Sequence, residues 1–473
     1  MAIDVLIVGA GPVGLNLALC LSKLGIQYRL IDKRSGLNTT SNAIGVNPRT
    51  LEIWETLGVV DKAIERGMKL KCATWYDGGK FLSSAQFSKL KSKYKFMLAL
   101  PQAQTEKLLY EQVSVLGGQV EWNKELIDLV DDNNCIVTKL ANSDETIEAR
   151  FVIGCDGYKS SVREISKIVR DCHDLTQHFI MIDAKLNGQI SNDEMSAIVH
   201  DDGVMFFFPM KDNFRIVAEV SHDPKYSHIK IGSADIFDDI LSKRFSGVSI
   251  KEVDWLSAFY VHECLAQSYV KDKVILCGDA AHTHSPAGGQ GMNTGIQDTW
   301  NLSWKLAQIL NKEADIKLLD TYNTERRAIG RDVLKRSGKL TAISSTNYKI
   351  VKLIRNFAIR HFMGTGKIGS KMVNSIGQTD ICYSNTNLVN TKQVLQKGCI
   401  RWQLNKIKWS LFCNESVQSN IIPKYIDVTV DKTLDILKGS KFCLIRPDGY
   451  IAMYANKIDD VIEFLRSNGF SIN

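Results

Sequence analysis

The chain has 473 residues, of which 44% are hydrophobic and 23% charged, as expected for a globular protein of roughly two or three domains. Its 59 basic and 52 acidic residues give a net charge of +7, but they are interspersed along the chain, which argues against a nucleic-acid-binding protein. No uninterrupted apolar run approaches the roughly 18 residues of a membrane span. The eleven cysteines are odd in number and form no CxxC pair, so we expect free thiols and a cytoplasmic protein.

The first elements of the chain are a strand, a glycine-rich turn and a helix. The apolar run of residues 4–8 is followed by GAGPVG, which places Gly9, Gly11 and Gly14 in GxGxxG register before an apolar helix. A second strand then ends at Asp32. In a βαβ unit with this order of elements, the helix N-terminus binds a pyrophosphate. The acid at the end of the second strand then accepts a hydrogen bond from a ribose hydroxyl. The N-terminal segment therefore predicts a dinucleotide site.

Two later strands each end in an acid beside a glycine. Residues 150–155 form the first, which runs into Asp156 and Gly157, and residues 273–278 form the second, which ends at Asp279. If these strands belong to one sheet, their carboxyl ends converge on a long ligand. A nicotinamide dinucleotide rarely contacts residues so far along the chain from the first glycine-rich turn, so the pattern favours FAD.

Two further patterns are weaker. Gly364, Gly366 and Gly369 also match GxGxxG, but no buried strand precedes them and no strand with a terminal acid follows, so we expect a flexible basic loop there. His282 and His284 lie close together in sequence, but they lack a complete set of metal ligands. We therefore expect no metal site.

The motifs together resemble those of the class A FAD-dependent aromatic monooxygenases, the family with the para-hydroxybenzoate hydroxylase fold. GxGxxG, DGxxSxVR (residues 156–163) and GDAAHxxxPxxGQGxNxGxxD (residues 278–298) occur in this order within residues 1–335. The branch most similar in pattern contains phenol and pentachlorophenol hydroxylases and aromatic polyketide hydroxylases. The resemblance implies an α/β fold, in which a Rossmann-type FAD-binding domain is interleaved with a β-sheet substrate domain.

The resemblance also implies domain boundaries. The FAD-binding domain would comprise residues 1–72, 98–171 and 262–335, and the substrate domain residues 73–97 and 172–261. A helical connection (336–379) would lead to a C-terminal domain (380–473). The strand–turn–strand–helix pattern of residues 441–468 resembles a degenerate thioredoxin-like α/β domain, and without CxxC we expect it to serve packing or the contacts of a homodimer.

By its motif positions, the resemblance assigns residues to the FAD site. The residues that would bind FAD are Gly9, Gly11, Pro12, Val13, Gly14, Asp32, Lys33, Arg34, Gln102, Gln104, Asp156, Gly157, Asp279, Gly289, Gly291, Met292 and Asn293. Among them, Gln104 and Gln102 would reach the ribityl chain, and Asp279 would bond one of its hydroxyls. The backbone of residues 288–293 would approach the flavin ring. A helix that begins near Met292 would aim its free N–H groups at the negative edge of the reduced ring.

One position departs from the family pattern. Asn42 stands where many relatives have an arginine near the FAD phosphates. Arg34 or Arg49 could supply that charge, and the alternative for both is an ordinary solvated base.

The activity that the resemblance implies is hydroxylation of a small aromatic, phenolic or polyketide substrate with NAD(P)H and O2, through a flavin C4a-hydroperoxide. NAD(P)H would enter an open groove, since the chain has no second Rossmann unit. The candidates for the substrate pocket are Phe206, Phe207, Phe208, Met210 and Pro286, and core packing is the alternative for each apolar side chain. Two other functions stay open: an antibiotic-inactivating monooxygenase with a tetracycline- or rifamycin-like substrate, and a flavin-binding protein without hydroxylase turnover.

Overall fold

The computed structural model describes residues 2–472 except 40–42, 133, 222, 224, 286–288, 345–355, 364–365, 384–385, 391–400, 402, 419–420, 432 and 434, and it describes only the backbone of residues 174–176 and 339–344. Four positions singled out above lie outside the described residues: Asn42, Pro286, Gly288 and Gly364. Among the residues that are described, no helix is long and apolar enough to cross a lipid bilayer.

The first sheet has the strand order β17-β18-β11-β1-β2-β8, with the hairpin β9–β10 beside β11. Its strands are β1 (Ile3–Val8), β2 (Tyr28–Asp32), β8 (Val120–Trp122), β9 (Leu126–Asp132), β10 (Cys135–Leu140), β11 (Thr146–Gly154), β17 (Val270–Lys271) and β18 (Val274–Leu276). The strands β18, β11, β1, β2 and β8 run parallel. The three motifs that end in an acid therefore meet at one edge of one sheet, as the sequence predicts.

Close packing at the first turn explains two of the motif glycines. Gly9 has φ +104°, and a Cβ on it would lie 2.5 Å from the carbonyl oxygen of Cys155. A Cβ on Gly14, in helix α1 (Pro12–Leu24), would lie 1.9 Å from the carbonyl oxygen of Gly9. Glycine at these positions thus lets β1, β11 and α1 approach each other.

The second sheet has the order β19-β16-β12-β15-β14-β13-β5-β6. Its strands are β5 (Cys72–Asp77), β6 (Lys80–Gln86), β12 (Arg170–Asn187), β13 (Glu194–His200), β14 (Gly203–Pro209), β15 (Phe214–Glu219), β16 (Ser249–Ala266) and β19 (His282–Thr283). Helix α6 (Ala234–Arg244) buries its apolar side chains against this sheet. The apolar runs of residues 197–210, 212–220 and 253–265, whose sequence is typical of strands, lie in β13 and β14, in β15 and in β16 of this sheet.

The long strands β12 and β16 pair antiparallel and place Cys172 opposite Cys264, where the two form a disulfide. The prediction of free thiols is wrong for this pair, because strand pairing joins two residues that are 92 positions apart. The thiols of Cys20, Cys72, Cys135, Cys155, Cys277, Cys382 and Cys413 are free.

A small third sheet and a C-terminal sheet complete the fold. The third consists of β3 (Gly45–Val46), β7 (Met97–Ala99) and β4 (Met68–Leu70). The C-terminal sheet has the order β21-β20-β22-β23, from β20 (Trp409–Cys413), β21 (Ile426–Val430), β22 (Phe442–Ile445) and β23 (Ile451–Ala455). The strand–turn–strand–helix pattern is present there, while the thioredoxin likeness of the domain and the domain boundaries stay predictions.

The remaining helices are α2 (Pro48–Leu57), α3 (Val60–Arg66), α4 (Gln102–Val115), α5 (Ser161–Ile165), α7 (Gly291–Leu310), α8 (Leu318–Ser344), α9 (Gly366–Ile376) and α10 (Ile458–Ser467). The expected loop at the second GxGxxG match is wrong for Gly366 and Gly369, because both lie in α9. That helix buries Val373 in an apolar cluster with Phe87 and Leu90, and this packing is not visible in the local sequence.

Candidate active site

One continuous cavity of about 580 Å³ is lined by residues of the first, second and third sheets. The predicted residues that line it are Gly9, Gly11, Pro12, Val13, Asp32, Lys33, Arg34, Gln102, Asp156, Gly157, Asp279, Gly289, Gly291, Met292, Phe206 and Phe208. Those that do not line it are Gly14, Gln104, Phe207, Asn293 and Met210. We name the part around residues 9–13 and 32–34 the charged end, and the part around Met181, Met195, Phe206, Phe208 and Phe259 the apolar end.

At the charged end, the carboxylate of Asp32 is fixed by its neighbours. It accepts hydrogen bonds from the backbone N–H of Ala10 at 2.7 Å and from the Arg34 backbone and guanidinium at 2.8–3.0 Å. Burial raises the pKa of Asp32, but the hydrogen bonds from Arg34 and Ala10 outweigh this effect, so its pKa lies below the ordinary value. Asp32 is therefore ionised near neutral pH, and an ionised carboxylate is a good acceptor for a ribose hydroxyl.

The N-terminus of α1 opens onto the same end of the cavity. Its N-cap is Gly11, no side chain caps it, and its first turn holds no acidic residue. A Cβ on Gly11 would meet no other atom within 4 Å. Uncapped N–H groups beside empty space suit a phosphate, so these residues fit the pyrophosphate of a dinucleotide.

Helix α4 contributes the middle of the cavity. Gln102 and Glu106 lie one turn apart and both face it, and Gln102 Nε2 donates to Glu106 Oε1 at 3.0 Å. The side chain of Gln104 is exposed outside the cavity, because residues two apart on a helix do not share a face. The expectation for Gln104 is therefore corrected in favour of Gln102. Glu106 was missed, although its spacing from Gln102 could have identified it.

The two acids that follow β11 and β18 also face the cavity. The Asp156 carboxylate accepts a hydrogen bond from the backbone N–H of Val162 at 3.1 Å, and burial raises the pKa of Asp156. Asp279 is accessible from the cavity but is otherwise surrounded by protein, and this burial raises its pKa, while His282 opposes the shift. Each carboxylate can thus accept from a ligand hydroxyl.

The side chain of Asn293 has contacts of its own, separate from the backbone role predicted for residues 288–293. Its side chain is fully buried, and its Nδ2 donates to the carbonyl oxygens of Gly45 at 2.8 Å and Gly289 at 2.9 Å. Its Oδ1 accepts from the backbone N–H of Asn47 at 2.9 Å. Since Gly45 and Gly289 line the cavity, Asn293 positions two walls rather than contacting a ligand with its side chain.

The two histidines have separate surroundings. His282 Nε2 lies 2.7 Å from the carboxylate of Asp298, which also binds Arg326 at 2.7 Å, and all three side chains are buried. His284 lines the cavity, its Nδ1 lies 2.9 Å from the Ser285 carbonyl oxygen, and burial lowers the pKa of His284 to about 4. Near neutral pH its ring is uncharged. In the described ranges, no cluster of three His, Cys, Asp or Glu side chains is placed to hold a metal ion.

The apolar end rests on strand β14, where alternation separates neighbouring phenylalanines. Phe206 and Phe208 line the cavity, whereas Phe207 is 1% exposed and packs in the core beneath α6. Met210 is corrected to a core residue, because it packs in the cluster around Phe87. The other apolar side chains of this end are Leu70, Met97, Met181, Met195, Val217 and Phe259.

One ion pair borders the apolar end. The guanidinium of Arg215 binds the Asp183 carboxylate through two contacts of 2.7 and 2.6 Å and lies 5.4 Å from the ring centre of Trp255. Its Nη1 also donates to the carbonyl oxygen of Ala43 at 3.3 Å. No local sequence pattern marks Arg215, because its partner Asp183 lies on the neighbouring strand β12.

Arg49 lies away from the cavity. It is 5% exposed, binds the Glu52 carboxylate at 3.0 Å and donates to the carbonyl oxygen of Asp448 at 2.9 Å in the C-terminal domain. Arg49 is thus neither a solvated base nor a source of charge for phosphates. Of the two arginines considered, Arg34 is the one at the cavity.

A protein-family model described as an FAD binding domain matches residues 2–337. The chain belongs to this family. The match covers all three motifs and both strands β12 and β16, so the family domain includes the charged and the apolar end of the cavity. The family resemblance inferred from the motifs is confirmed.

Relatives of known activity agree with this assignment. The chain is 34% identical to 6-methylpretetramide 4-monooxygenase of Streptomyces rimosus, over 72% of this chain and 62% of that protein. It is 31% identical to rifampicin monooxygenase of Rhodococcus hoagii, over 72% of each. It is 32% identical to pentachlorophenol 4-monooxygenase of Sphingobium chlorophenolicum, over 70% of this chain and 63% of that protein. The matched part thus spans a little over three fifths of two of these relatives.

The fold of this FAD-binding-domain protein is also found among solved structures. An anhydrotetracycline hydroxylase from Streptomyces rimosus superposes with a TM-score of 0.81 at 24% identity, and the alignment covers 100% of both chains. This likeness supports an α/β fold with interleaved sheets.

Proposed function

We propose that the protein is an FAD-dependent monooxygenase that uses NAD(P)H and O2 to hydroxylate an aromatic, phenolic or polyketide substrate. The observation that carries the proposal is the single cavity, which joins a dinucleotide end to an apolar pocket on a second sheet. A dinucleotide site alone would fit many oxidoreductases. A pocket of aromatic and methionine side chains at its far end fits a planar apolar substrate placed beside the flavin ring.

The residues at the charged end would hold the ADP half of FAD. Gly11 and the N-terminus of α1 would take the pyrophosphate, and Asp32 would accept from the ribose. Asp279 and Gln102 would face the ribityl chain, and Asp156, which lies beside Gly9, would contact the ligand near the first turn. The uncapped N-terminus of α7 would face the flavin ring.

Bound flavin supplies electron transfer from NAD(P)H and the activation of O2. The chain's own residues bind and orient the substrate, and they exclude water from it. Phe206, Phe208 and Phe259 form apolar walls that keep water from the reacting groups. The nearby Arg215–Asp183 pair is neutral as a unit and the His284 ring is uncharged, so the apolar end presents little net charge.

A panel of aromatic compounds, followed by NADH and NADPH consumption and by oxygen uptake, tests the proposal. The purified protein should be yellow, and a substrate should stimulate oxidation and gain one oxygen atom in mass. Bound FAD without stimulated oxidation on any compound would favour a flavin-binding protein without turnover. A product that gains a halogen would contradict hydroxylation.

A second candidate is inactivation of an antibiotic by the same oxygen transfer. The observation in its favour is the 31% identity to a rifampicin monooxygenase over 72% of both chains. Rifamycin- and tetracycline-type compounds therefore belong in the panel. Oxidation of such a compound with loss of its antibacterial effect would select this candidate over hydroxylation of a simple phenol.

We also propose a cytoplasmic location and a homodimer. The buried free thiols Cys20, Cys155 and Cys277 support a reducing compartment, whereas the Cys172–Cys264 disulfide weighs against one. Fractionation of cells and sedimentation of the pure protein would test the two proposals, and a monomer in solution would contradict the second.

A further inference from the structure

Gln378 lies far from the cavity motifs in sequence but close to them in space. It follows α9, in the connection to the C-terminal domain, and its side chain is 2% exposed. Its backbone has φ +51°, in the left-handed region that residues other than glycine rarely adopt. A buried polar side chain on a strained backbone needs compensating contacts.

The side-chain amide of Gln378 finds these contacts in two elements. Its Oε1 accepts from Asn47 Nδ2 at 2.8 Å and from Gln297 Nε2, and its Nε2 donates to Thr294 Oγ1 at 2.9 Å. Asn47 is the N-cap of α2, and its Oδ1 accepts from the backbone N–H of Thr50. One amide thus links the first turn of α2 to the first two turns of α7.

Both linked elements lead directly to cavity walls. Thr294 Oγ1 donates to the carbonyl oxygen of Gln290 at 2.9 Å, and Gln290 lines the cavity just before α7. The backbone N–H of Asn47 donates to Asn293, whose amide binds the carbonyl oxygens of Gly45 and Gly289. Gln378 is therefore one hydrogen bond from Thr294, which holds Gln290, and two from Asn293, which holds Gly45 and Gly289.

We infer that Gln378 is a positioning residue for the flavin ring: it sets the distance between the N-terminus of α7 and strand β3, which would form two sides of the ring site. The inference rests on the proposed FAD binding. It places a determinant of the cavity in the connection to the C-terminal domain, beyond the matched family domain that ends at residue 337. The charged end has no contact with Gln378, so its ligand affinity should not depend on this amide.

Binding of FAD and of ADP by the full chain tests the inference. The probes differ in the ring and ribityl part, and ADP occupies only the charged end. In Gln378→Leu, the donors of Asn47 and Gln297 lose their acceptor and Thr294 loses a donor. We expect the Kd for FAD to rise about tenfold, the Kd for ADP to change less than about twofold, and the visible absorption bands of bound flavin to shift.

Gln308→Leu is the matched control. Gln308 is a largely buried glutamine at the other end of α7, and its Nε2 donates to Glu313 at 2.7 Å. It should leave the FAD-to-ADP affinity ratio and the flavin spectrum unchanged. If Gln378→Leu does not fold, Gln378→Gly replaces it, because glycine accepts the left-handed φ while removing the amide.

An unchanged FAD affinity and spectrum in Gln378→Leu or Gln378→Gly would overturn the inference. An equal loss of FAD and ADP affinity would also overturn it, since that result indicates a general structural role. Wild-type protein that binds ADP but not FAD would contradict the proposed function itself, and this outcome is distinct from both.

Discussion

The two ends of the cavity are built in different ways. The charged end is centred on one stretch of chain, residues 9–34, with Asp156 and Glu106 beside it, and its polar groups include backbone N–H groups and the Asp32 carboxylate. The apolar end is assembled from several strands of the second sheet, and the buried amide of Asn293 holds the cavity walls at Gly45 and Gly289. Helices α1 and α7 both begin at the cavity, and in neither does the side chain of the N-cap residue cap the helix. The comparison indicates that local sequence determines the site that would bind the ADP part of the ligand, whereas tertiary packing determines the pocket for the substrate.

The largest expected effect is a difference in stability between variants of a core residue and of a neighbouring cavity-wall residue at the apolar end. Phe207→Ala should lower the free energy of unfolding by about 3–5 kcal/mol, because Phe207 is buried in the core beneath α6. Phe206→Ala removes the same atoms one residue away, from a cavity wall, and should cost much less stability while raising the KM for the substrate. Urea denaturation of the protein without ligand, together with steady-state kinetics, measures both. Equal destabilisation by the two variants would show that the alternation along β14 does not separate pocket from core.

A smaller effect is expected for the glycines of the charged end. Gly14→Ala should cost about 1–3 kcal/mol of stability even without ligand, since its Cβ would press on the Gly9 carbonyl oxygen. Gly11→Ala should leave the ligand-free protein as stable as wild type and weaken FAD binding, since its Cβ enters the space beside the helix N-terminus. Thermal unfolding and FAD titration distinguish the two glycines.

Gly36→Ala is the control for this pair, because a Cβ there meets nothing within 4 Å. It should change neither property. A Gly11→Ala variant that unfolds like Gly14→Ala would mean that both glycines serve packing, and the charged end would then lose its assigned space for the pyrophosphate.

The sequence predicted the charged end well because its signals are local. Strand β1, helix α1 and Asp32 follow each other within about thirty residues, and each has a backbone reason for its residue type. The same holds for Asp156 and Asp279, which come directly after strands. Prediction failed where the direction of a side chain decides its role. Gln104 lies on the side of α4 that faces away from the cavity, and Met210 lies in the core although Phe208 lines the cavity.

The contacts that escaped sequence reasoning join distant residues. Gln378 binds a residue 331 positions earlier, Arg49 binds the backbone of Asp448, and Cys172 bonds to Cys264. Nothing in a single sequence marks such partners, because neither residue type nor spacing identifies them. The structure supplies the strand register and helix packing that create these contacts.

The smallest expected effect concerns Asp279, which lines the cavity. Asp279→Asn keeps one acceptor oxygen but removes the charge, and a charged acceptor bonds more strongly than a neutral one. FAD binding should weaken by about 1 kcal/mol near neutral pH, which isothermal titration would measure. Wild-type affinity should also fall as pH drops through the raised pKa of Asp279, whereas the variant should lack this component.

The ligand-free protein should respond to pH in the opposite direction. Because burial raises the pKa of Asp279 above its ordinary value of 3.8, the folded state binds more protons than the unfolded state between the two values. Its contribution to stability is therefore present at low pH and lost as pH rises through the folded pKa. Asp279→Asn removes this loss, so the difference in unfolding free energy, variant minus wild type, should increase with pH across that window. A difference that is flat with pH would show that Asp279 is already hydrated as in water, and the ribityl contact would then have to be assigned to another side chain.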